Sequence, residues 1–164
     1  KTFFSFTYGG DCIGLAAAKT TITKMKNKNV IAHINKMGKY LKDGINNLAL
    51  NHGLSEFIKC DGYPCRTILS INGNNKFNDL EMKTFIQQEL FKRGILWAAY
   101  HTISWSHKEK EIKKTLDAFS DVFDIFKRKF IKKNLKIKDS LEGEMLKPVF
   151  RKVADFNSYI TSKK

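Results

Sequence analysis

Apolar residues in the first third of the chain recur with the spacing of two consecutive helices. The stretch from Asp11 to about Lys26 has helical spacing and includes the small-residue run GLAAAK, which suits close packing against a neighbour. A second helix is predicted from Val30 to Leu48, and Asn51–Gly53 supplies its stop signal. Its apolar stripe returns every three or four positions, at Val30, Ile34, Met37, Leu41, Ile45 and Leu48.

The period then changes to that of short strands. Phe57–Asp61 and Arg66–Asn72 predict two strands around the turn Gly62–Pro64, and Gly73–Asn75 ends the second strand. These two strands are close enough in sequence to pair through the intervening turn.

Two further helices flank a third predicted strand. One helix is capped by Asn78 or Asp79 and ends at Gly94, and the apolar run Ile95–Ala98 predicts the strand. The last helix opens at Ser106–Glu109, which we interpret as a capping box. Its apolar face consists of Ile112, Leu116, Phe119, Phe123, Phe126 and Phe130. This order predicts an α+β fold with a small sheet covered by helices.

The net positive charge suggests that the protein binds nucleic acid, but the distribution of the cations along the chain argues against it. The 164 residues are enough for one domain and carry a net charge of +14, mostly from lysines spread along the chain. The dense cluster Lys127–Lys138 follows an apolar helix, whose C-terminal end favours cations. We therefore expect solvated helix faces and no nucleic-acid partner, and keep a basic nucleic-acid-binding module as the alternative.

Cysteine usage and hydropathy limit the remaining classes of protein. The three cysteines contain no CxxC pair, and Cys60 and Cys65 have no second pair or nearby histidine, so no metal site is expected. Lone thiols fit a reducing cytoplasm, and no apolar run is long enough to span a membrane. Because the chain starts at Lys1 without a methionine, we interpret it as a fragment that lacks upstream residues.

The stretch FFSFTYGGDC places Thr7 before two glycines and a helix. A secretion signal is disfavoured, because Gly9, Gly10 and Asp11 interrupt the apolar run. An ordinary strand-to-helix turn and an anion site at a helix N-terminus both remain open, since free N–H groups and glycines allow an anion to approach closely.

Several stretches together resemble class III aminotransferases, which depend on pyridoxal 5'-phosphate (PLP). FSFTYGGDCIGLAAAKTTI resembles the segment that follows the cofactor lysine in that family. QELFKRGILW and HTISWSHKEKEIKKTLDAF resemble the C-terminal small domain of its glutamate-1-semialdehyde aminotransferase branch. The resemblance covers roughly residues 3–130.

That resemblance implies the C-terminal part of a fold-type I enzyme, with a small antiparallel sheet preceded by a long helical connection. Residues 1–28 would end the large domain, residues 29–130 would form the small domain, and residues 131–164 would be a basic extension. The enzyme would be a cytoplasmic homodimer. It would transfer an amino group from a small-molecule donor to a carbonyl acceptor, or act as an aminomutase that makes 5-aminolevulinate. The extension favours the transaminase.

The resemblance also assigns cofactor contacts. The hydroxyl of Thr7 and the backbone N–H of Phe6 would bind the phosphate of PLP in the partner subunit. The lysine that forms the Schiff base would lie upstream, so no lysine of this chain, including Lys19, takes that role, and the fragment alone is expected to be inactive.

Three other residues invite a catalytic or binding role. His101 and His107 have no paired nucleophile or carboxylate motif, which favours structural roles. Arg66 has the chemistry to bind a substrate carboxylate with two hydrogen bonds, although an arginine that opens a strand is more often an exposed ion-pair partner.

Overall fold

The computed structural model describes residues 9–147. Its helices and strands are, in chain order, α1 Cys12–Asn27, α2 Val30–His52, β1 Ile58–Tyr63, β2 Arg66–Ile71, α3 Asp79–Lys92, β3 Tyr100–Thr102 and α4 Glu109–Phe126. A π-helical segment, Lys127–Lys132, continues α4, and a 3-10 turn at Lys138–Ser140 follows. The helices and the first two strands form where the apolar periodicity predicts them. Most bounds differ by one or two residues, while α2 continues to His52, beyond the last residue of its predicted stripe, Leu48.

The three strands form an antiparallel sheet in the order β1-β2-β3. Strand alternation turns Cys60, Thr67 and Leu69 toward the helices, where they are buried. The opposite face of the sheet is open, and Tyr63, Ile68 and Tyr100 are exposed on it. The predicted α+β fold with a small antiparallel sheet is confirmed, and its helices cover one face.

Aromatic side chains of α4 fill the centre of the core. Phe119, Phe123 and Phe126 are fully buried. Phe126 packs edge-to-face with Phe85 of α3 and with Phe130 at ring-centroid distances of 6.1 and 5.1 Å. The apolar stripes of α2, α3 and α4 therefore meet in one core, as their periodicity predicts.

The chain beyond Phe130 stays in contact with this core. Ile137 is buried, and the backbone N–H groups of Glu142 and Leu146 donate to Gln88 Oε1 at 2.8 Å and to Thr84 Oγ1 at 3.0 Å on α3. Residues 137–146 thus run along α3, and the domain division at residue 130 stays a prediction.

The third strand lies downstream of its predicted position, so the prediction at Ile95–Ala98 is wrong. Trp97 is buried while Leu96 is 91% exposed, and Ala99 has a left-handed backbone with φ 68°. A regular strand does not include that conformation. The run therefore crosses from α3 to the sheet edge, and pairing with β2 begins only at Tyr100.

The predicted capping box at Ser106–Glu109 is also wrong. The imidazole Nδ1 of His107 accepts a hydrogen bond from the backbone N–H of Ser104 at 2.9 Å, which closes a turn just before the helix. Helix α4 consequently begins at Glu109, with Lys108 as its N-cap residue. The carboxylate of Glu111 accepts from the Lys108 N–H at 2.9 Å and so fills the role that the sequence assigned to Glu109.

Helix α1 has no buried residue. Ile13, Leu15 and Ile22 are 82, 55 and 54% exposed. Helices of this length are marginal on their own in water, so α1 depends on its contact with α2 and on its N-terminal cap. Its apolar side chains are uncovered in the described part of the chain.

The close approach of α2 to the β1–β2 turn predicts a strong effect of a single methyl group. A Cβ at Gly38 would overlap the backbone carbonyl of Pro64. Alanine in a helix gains about 1 kcal/mol over glycine, but overpacking costs up to about 3 kcal/mol. We therefore expect Gly38→Ala to lower the free energy of unfolding by roughly 2 kcal/mol, measured by urea denaturation.

Gly10→Ala is the matched control, because an added methyl there meets no atom of the described residues within 4 Å. Its stability should stay within about 0.5 kcal/mol of the wild type. A Gly38→Ala protein that is as stable as the wild type would contradict the observed packing of α2 on the hairpin.

Candidate functional site

An open cleft of about 570 Å³ lies between the β2–β3 edge and α3. Its polar lining side chains are Arg66, Lys83, Gln87, Tyr100 and Lys147. Ile68, Leu80 and Leu146 supply apolar surface. The pairing of Ile68 with Tyr100 places these two side chains beside each other on the open face of the sheet.

Arg66 differs from the other arginines of residues 9–147 in having no carboxylate partner there. Arg93 pairs with Glu89 at 3.0 Å, and Arg128 pairs with Asp124 at 2.8 Å. The guanidinium carbon of Arg66 instead lies 5.6 Å from the centre of the Tyr100 ring. This cation–π contact orients the guanidinium while leaving its N–H donors available.

The other polar groups of the cleft are cationic or neutral. Lys83 has no carboxylate partner within the described residues, whereas Lys147 pairs with Glu144 at 3.1 Å. The amide nitrogen of Gln87 donates to the backbone oxygen of Trp97 at 2.9 Å, which fixes the side chain. None of the described residues that line the cleft carries a carboxylate, and the chemistry of this lining suits an anion that carries an apolar portion.

Sequence reasoning considered Arg66 but missed Tyr100, Lys83 and Gln87. The strand alternation of β2 signals that Arg66 and Ile68 share a face. Tyr100 was missed because β3 was predicted upstream of its real position. No local signal brings α3 to the same place.

A polar cluster lies beneath the cleft on the inner face of the sheet. Thr67 Oγ1 and His101 Nδ1 are 3.0 Å apart, and the Cys60 thiol lies beside Thr67. Burial lowers the pKa of His101 to about 4 and raises the pKa of the Cys60 thiol. Both side chains are therefore neutral near neutral pH, which fits a structural role for His101.

His101 and His107 line a second cavity of about 320 Å³, together with Glu111. His107 Nδ1 is engaged by Ser104, and His101 Nε2 is buried without a hydrogen-bond partner in the described part of the chain. Each histidine lies beside a hydroxyl: Thr67 Oγ1 is 3.0 Å from His101 Nδ1, and Ser104 Oγ is 2.9 Å from His107 Nδ1. Thr67 is fully buried, and the Ser104–His107 contact closes the turn before α4, so both pairs fit structural roles.

The predicted phosphate contacts, Thr7 and Phe6, lie outside the described residues. The start of α1, however, is described, and it does not offer its N–H groups to an anion. The Asp11 carboxylate accepts from the N–H of Ile13 at 3.3 Å and of Gly14 at 2.8 Å. A phosphate there would compete with a carboxylate that is already bound, so this N-terminus does not fit the group.

Residues 9–147 contain neither a metal-binding cluster nor a membrane-spanning helix. No cluster of three or more His, Cys, Asp or Glu side chains has the geometry to bind a metal ion. None of the helices there combines the length and the apolarity needed to cross a bilayer.

Comparison with known proteins gives two structures of similar fold, while no protein-family model matches the chain. A FumI protein of Sphingopyxis sp. MTA144 in its PLP internal aldimine form matches with a TM-score of 0.67 and 18% identity, over 85% of this chain and 33% of that one. An omega-transaminase from Sphaerobacter thermophilus matches with a TM-score of 0.63 and 16% identity, over 75% of this chain and 30% of that one. The chain thus spans about a third of the length of these proteins and has the fold of that part.

The burial of His101 predicts a pH-dependent stability. Its pKa is 6.5 in a model peptide and about 4 in the folded protein, so between these values the unfolded state binds more protons. The contribution of neutral His101 is fully present above pH 6.5 and is lost as pH falls toward 4. We expect a loss of about 2 kcal/mol between about pH 7 and about pH 5, measured by urea denaturation.

His101→Asn is the comparison variant, since its amide can still hydrogen-bond Thr67 but does not titrate. The variant should be less stable than the wild type near pH 7, and the difference between the two proteins should shrink toward pH 5. A difference that does not change with pH would contradict a buried, neutral His101.

Proposed function

We propose that the chain is the C-terminal portion of a PLP-dependent aminotransferase of class III. The observation that carries this proposal is the similarity of its fold to the corresponding third of two transaminase structures. The motif resemblance supports the same family independently of the fold. Helix α1 leads into the small domain formed by α2, the sheet, α3 and α4.

PLP is the proposed cofactor, and Thr7 and Phe6 are its proposed contacts in this chain. When bound, PLP supplies an electron sink for the negative charge that develops on the substrate during amino-group transfer. The Thr7 hydroxyl and the Phe6 N–H would hold the phosphate without help from the α1 N-terminus, whose Ile13 and Gly14 N–H groups are taken by Asp11. The lysine that binds the cofactor would belong to the upstream part of the enzyme.

The proposed assembly is a cytoplasmic homodimer in which Thr7 serves the partner's cofactor. The uncovered apolar side chains of α1, among them Ile13 and Leu15, support an assembly in which further protein covers this helix. The share of the neighbouring structures that this chain matches supports the same conclusion.

Transamination is preferred to the aminomutase reaction. The matched structures are a FumI protein and an omega-transaminase, and neither is an aminomutase by name. The glutamate-1-semialdehyde aminotransferase branch therefore remains a prediction of the motifs alone. The substrates proposed are a small-molecule amino donor and a carbonyl acceptor.

Nucleic-acid binding remains the less favoured alternative. Within the basic cluster Lys127–Lys138, Phe130 and Ile137 are buried in the core, and Arg128 pairs with Asp124. These contacts support the proposal that the cluster ends a packed helix and does not form a dedicated phosphate-binding surface.

The isolated chain tests where the cofactor lysine lies. After mixing with PLP, reduction with borohydride and desalting, we expect no stoichiometric attachment to any one lysine, because the proposed lysine is upstream. Peptide mass mapping measures the attachment. Stoichiometric modification of one lysine of this chain would overturn the proposed division of the site.

Thr7 is tested in the enzyme that includes the upstream residues. A hydrogen bond to a charged group is worth about 1.5 to 3 kcal/mol, so Thr7→Val should weaken PLP binding roughly ten- to a hundredfold. Fluorescence titration of the cofactor-free enzyme measures the dissociation constant. Valine keeps the β-branched shape, so the fold should survive.

Thr20→Val is the matched control, since the Thr20 hydroxyl is exposed and donates to the Ala16 carbonyl within α1. Its PLP affinity should equal that of the wild type. Unchanged affinity of the Thr7→Val enzyme would remove Thr7 from the site, whatever the activity.

A further inference from the structure

We propose that the cleft between β2, β3 and α3 binds the carboxylate of a small organic acid, with Arg66 as the principal anion contact and Lys83 as a second cation. The ligand class is an amino or oxo acid with an apolar or aromatic side chain. This class rests on the proposed aminotransferase function, whereas the anion site itself rests on the geometry of the cleft.

Arg66 has no carboxylate partner among residues 9–147, which leaves its charge available to a ligand. In residues 9–147, Arg93 and Arg128 have carboxylate partners at 3.0 and 2.8 Å, and Arg66 has none. A guanidinium that lacks a partner but is held over Tyr100 at 5.6 Å keeps its planar set of donors available. That arrangement matches the two oxygens of a carboxylate.

The side chains around Arg66 also favour an anion. Lys83 lies on the facing helix α3, and among residues 9–147 no acidic side chain lines the cleft. The protein has many lysines, but here a cation from the sheet and a cation from a helix line one concave volume of about 570 Å³. Two converging cations attract an anion more strongly than isolated surface charges do.

Apolar groups complete the selection of a ligand. Ile68 is 53% exposed and Tyr100 is 50% exposed in the cleft, and Leu80 and Leu146 face them. Burying this surface favours a ligand with an apolar or aromatic portion over a simple inorganic anion. The cleft therefore distinguishes an apolar carboxylic acid from phosphate.

Ligand titration of the 164-residue chain by heteronuclear NMR tests this inference. The probes are 3-phenylpropionate, its neutral isostere 3-phenylpropanamide, and propionate, which lacks the ring. We expect the acid to bind at least about tenfold more tightly than the amide, and more tightly than propionate, with shift changes at Arg66 and Tyr100. Equal affinity for the acid and the amide would overturn the proposal.

Charge-changing variants test whether 3-phenylpropionate binds in the cleft. Arg66→Gln should weaken binding of 3-phenylpropionate at least about tenfold, and Arg66→Lys should weaken it less, because lysine keeps the charge but loses the paired donors. Arg128→Gln changes the net charge equally at an exposed site that does not line the cleft, and it should leave the affinity unchanged. Equal losses in Arg66→Gln and Arg128→Gln would show only a general charge effect and would overturn the proposal.

The result is separable from the proposed enzyme function, because the titration contains no PLP and measures no turnover. Failure here combined with loss of PLP affinity in Thr7→Val would remove the cleft and leave the aminotransferase proposal in place. Binding here combined with normal PLP affinity in Thr7→Val would keep the anion site and remove the proposed phosphate contact.

Discussion

The β1–β2 hairpin is held against α2 by close contact, and the positions of the other elements depend on that packing. Gly38 has no side chain, so the helix backbone can lie against the carbonyl of Pro64 in the hairpin turn. Further along α2, the Asn46 amide donates to the Cys60 carbonyl at 2.9 Å and accepts from its N–H at 2.8 Å. Because β1 is an edge strand, these bonds satisfy backbone groups that no other strand pairs. The hairpin is thereby oriented, and Arg66 stands at the start of the central strand.

Local periodicity predicts the elements that bury a continuous stripe, and it fails where tertiary contacts choose between conformations. The stripes of α2 and α4 are long enough to identify those helices without ambiguity. As a sequence, the apolar run Ile95–Ala98 fits a buried strand. In the structure, the burial of Trp97 and the left-handed backbone of Ala99 make it a segment that crosses from α3 to the sheet. The sequence drew attention to Arg66 alone among the cleft residues, and it favoured an exposed ion pair over a carboxylate contact. Tyr100 and Lys83 approach Arg66 by strand pairing and helix packing, which the sequence pattern does not encode.

The two faces of the sheet differ in charge, because the inner face carries neutral side chains and the outer face borders cations. On the inner face, burial keeps His101 and the Cys60 thiol uncharged near neutral pH by lowering the pKa of the first and raising that of the second. On the outer face, Arg66 and Lys83 carry fixed positive charge. None of the described residues that line the cleft is acidic, so an anion there would meet this positive charge directly.

Because of the Asp11 cap, the two anion contacts proposed for this chain differ in chemistry. Because the carboxylate already accepts from Ile13 and Gly14, the α1 dipole and its free donors are partly satisfied before any ligand arrives. The contacts proposed for the phosphate, the Thr7 hydroxyl and the Phe6 N–H, come before Asp11 in the sequence and carry no charge. The cleft relies instead on a guanidinium and an ammonium group, which favour a carboxylate through charge. The two contacts should consequently respond differently to salt, with the cleft losing more affinity because its attraction is between full charges that are open to solvent.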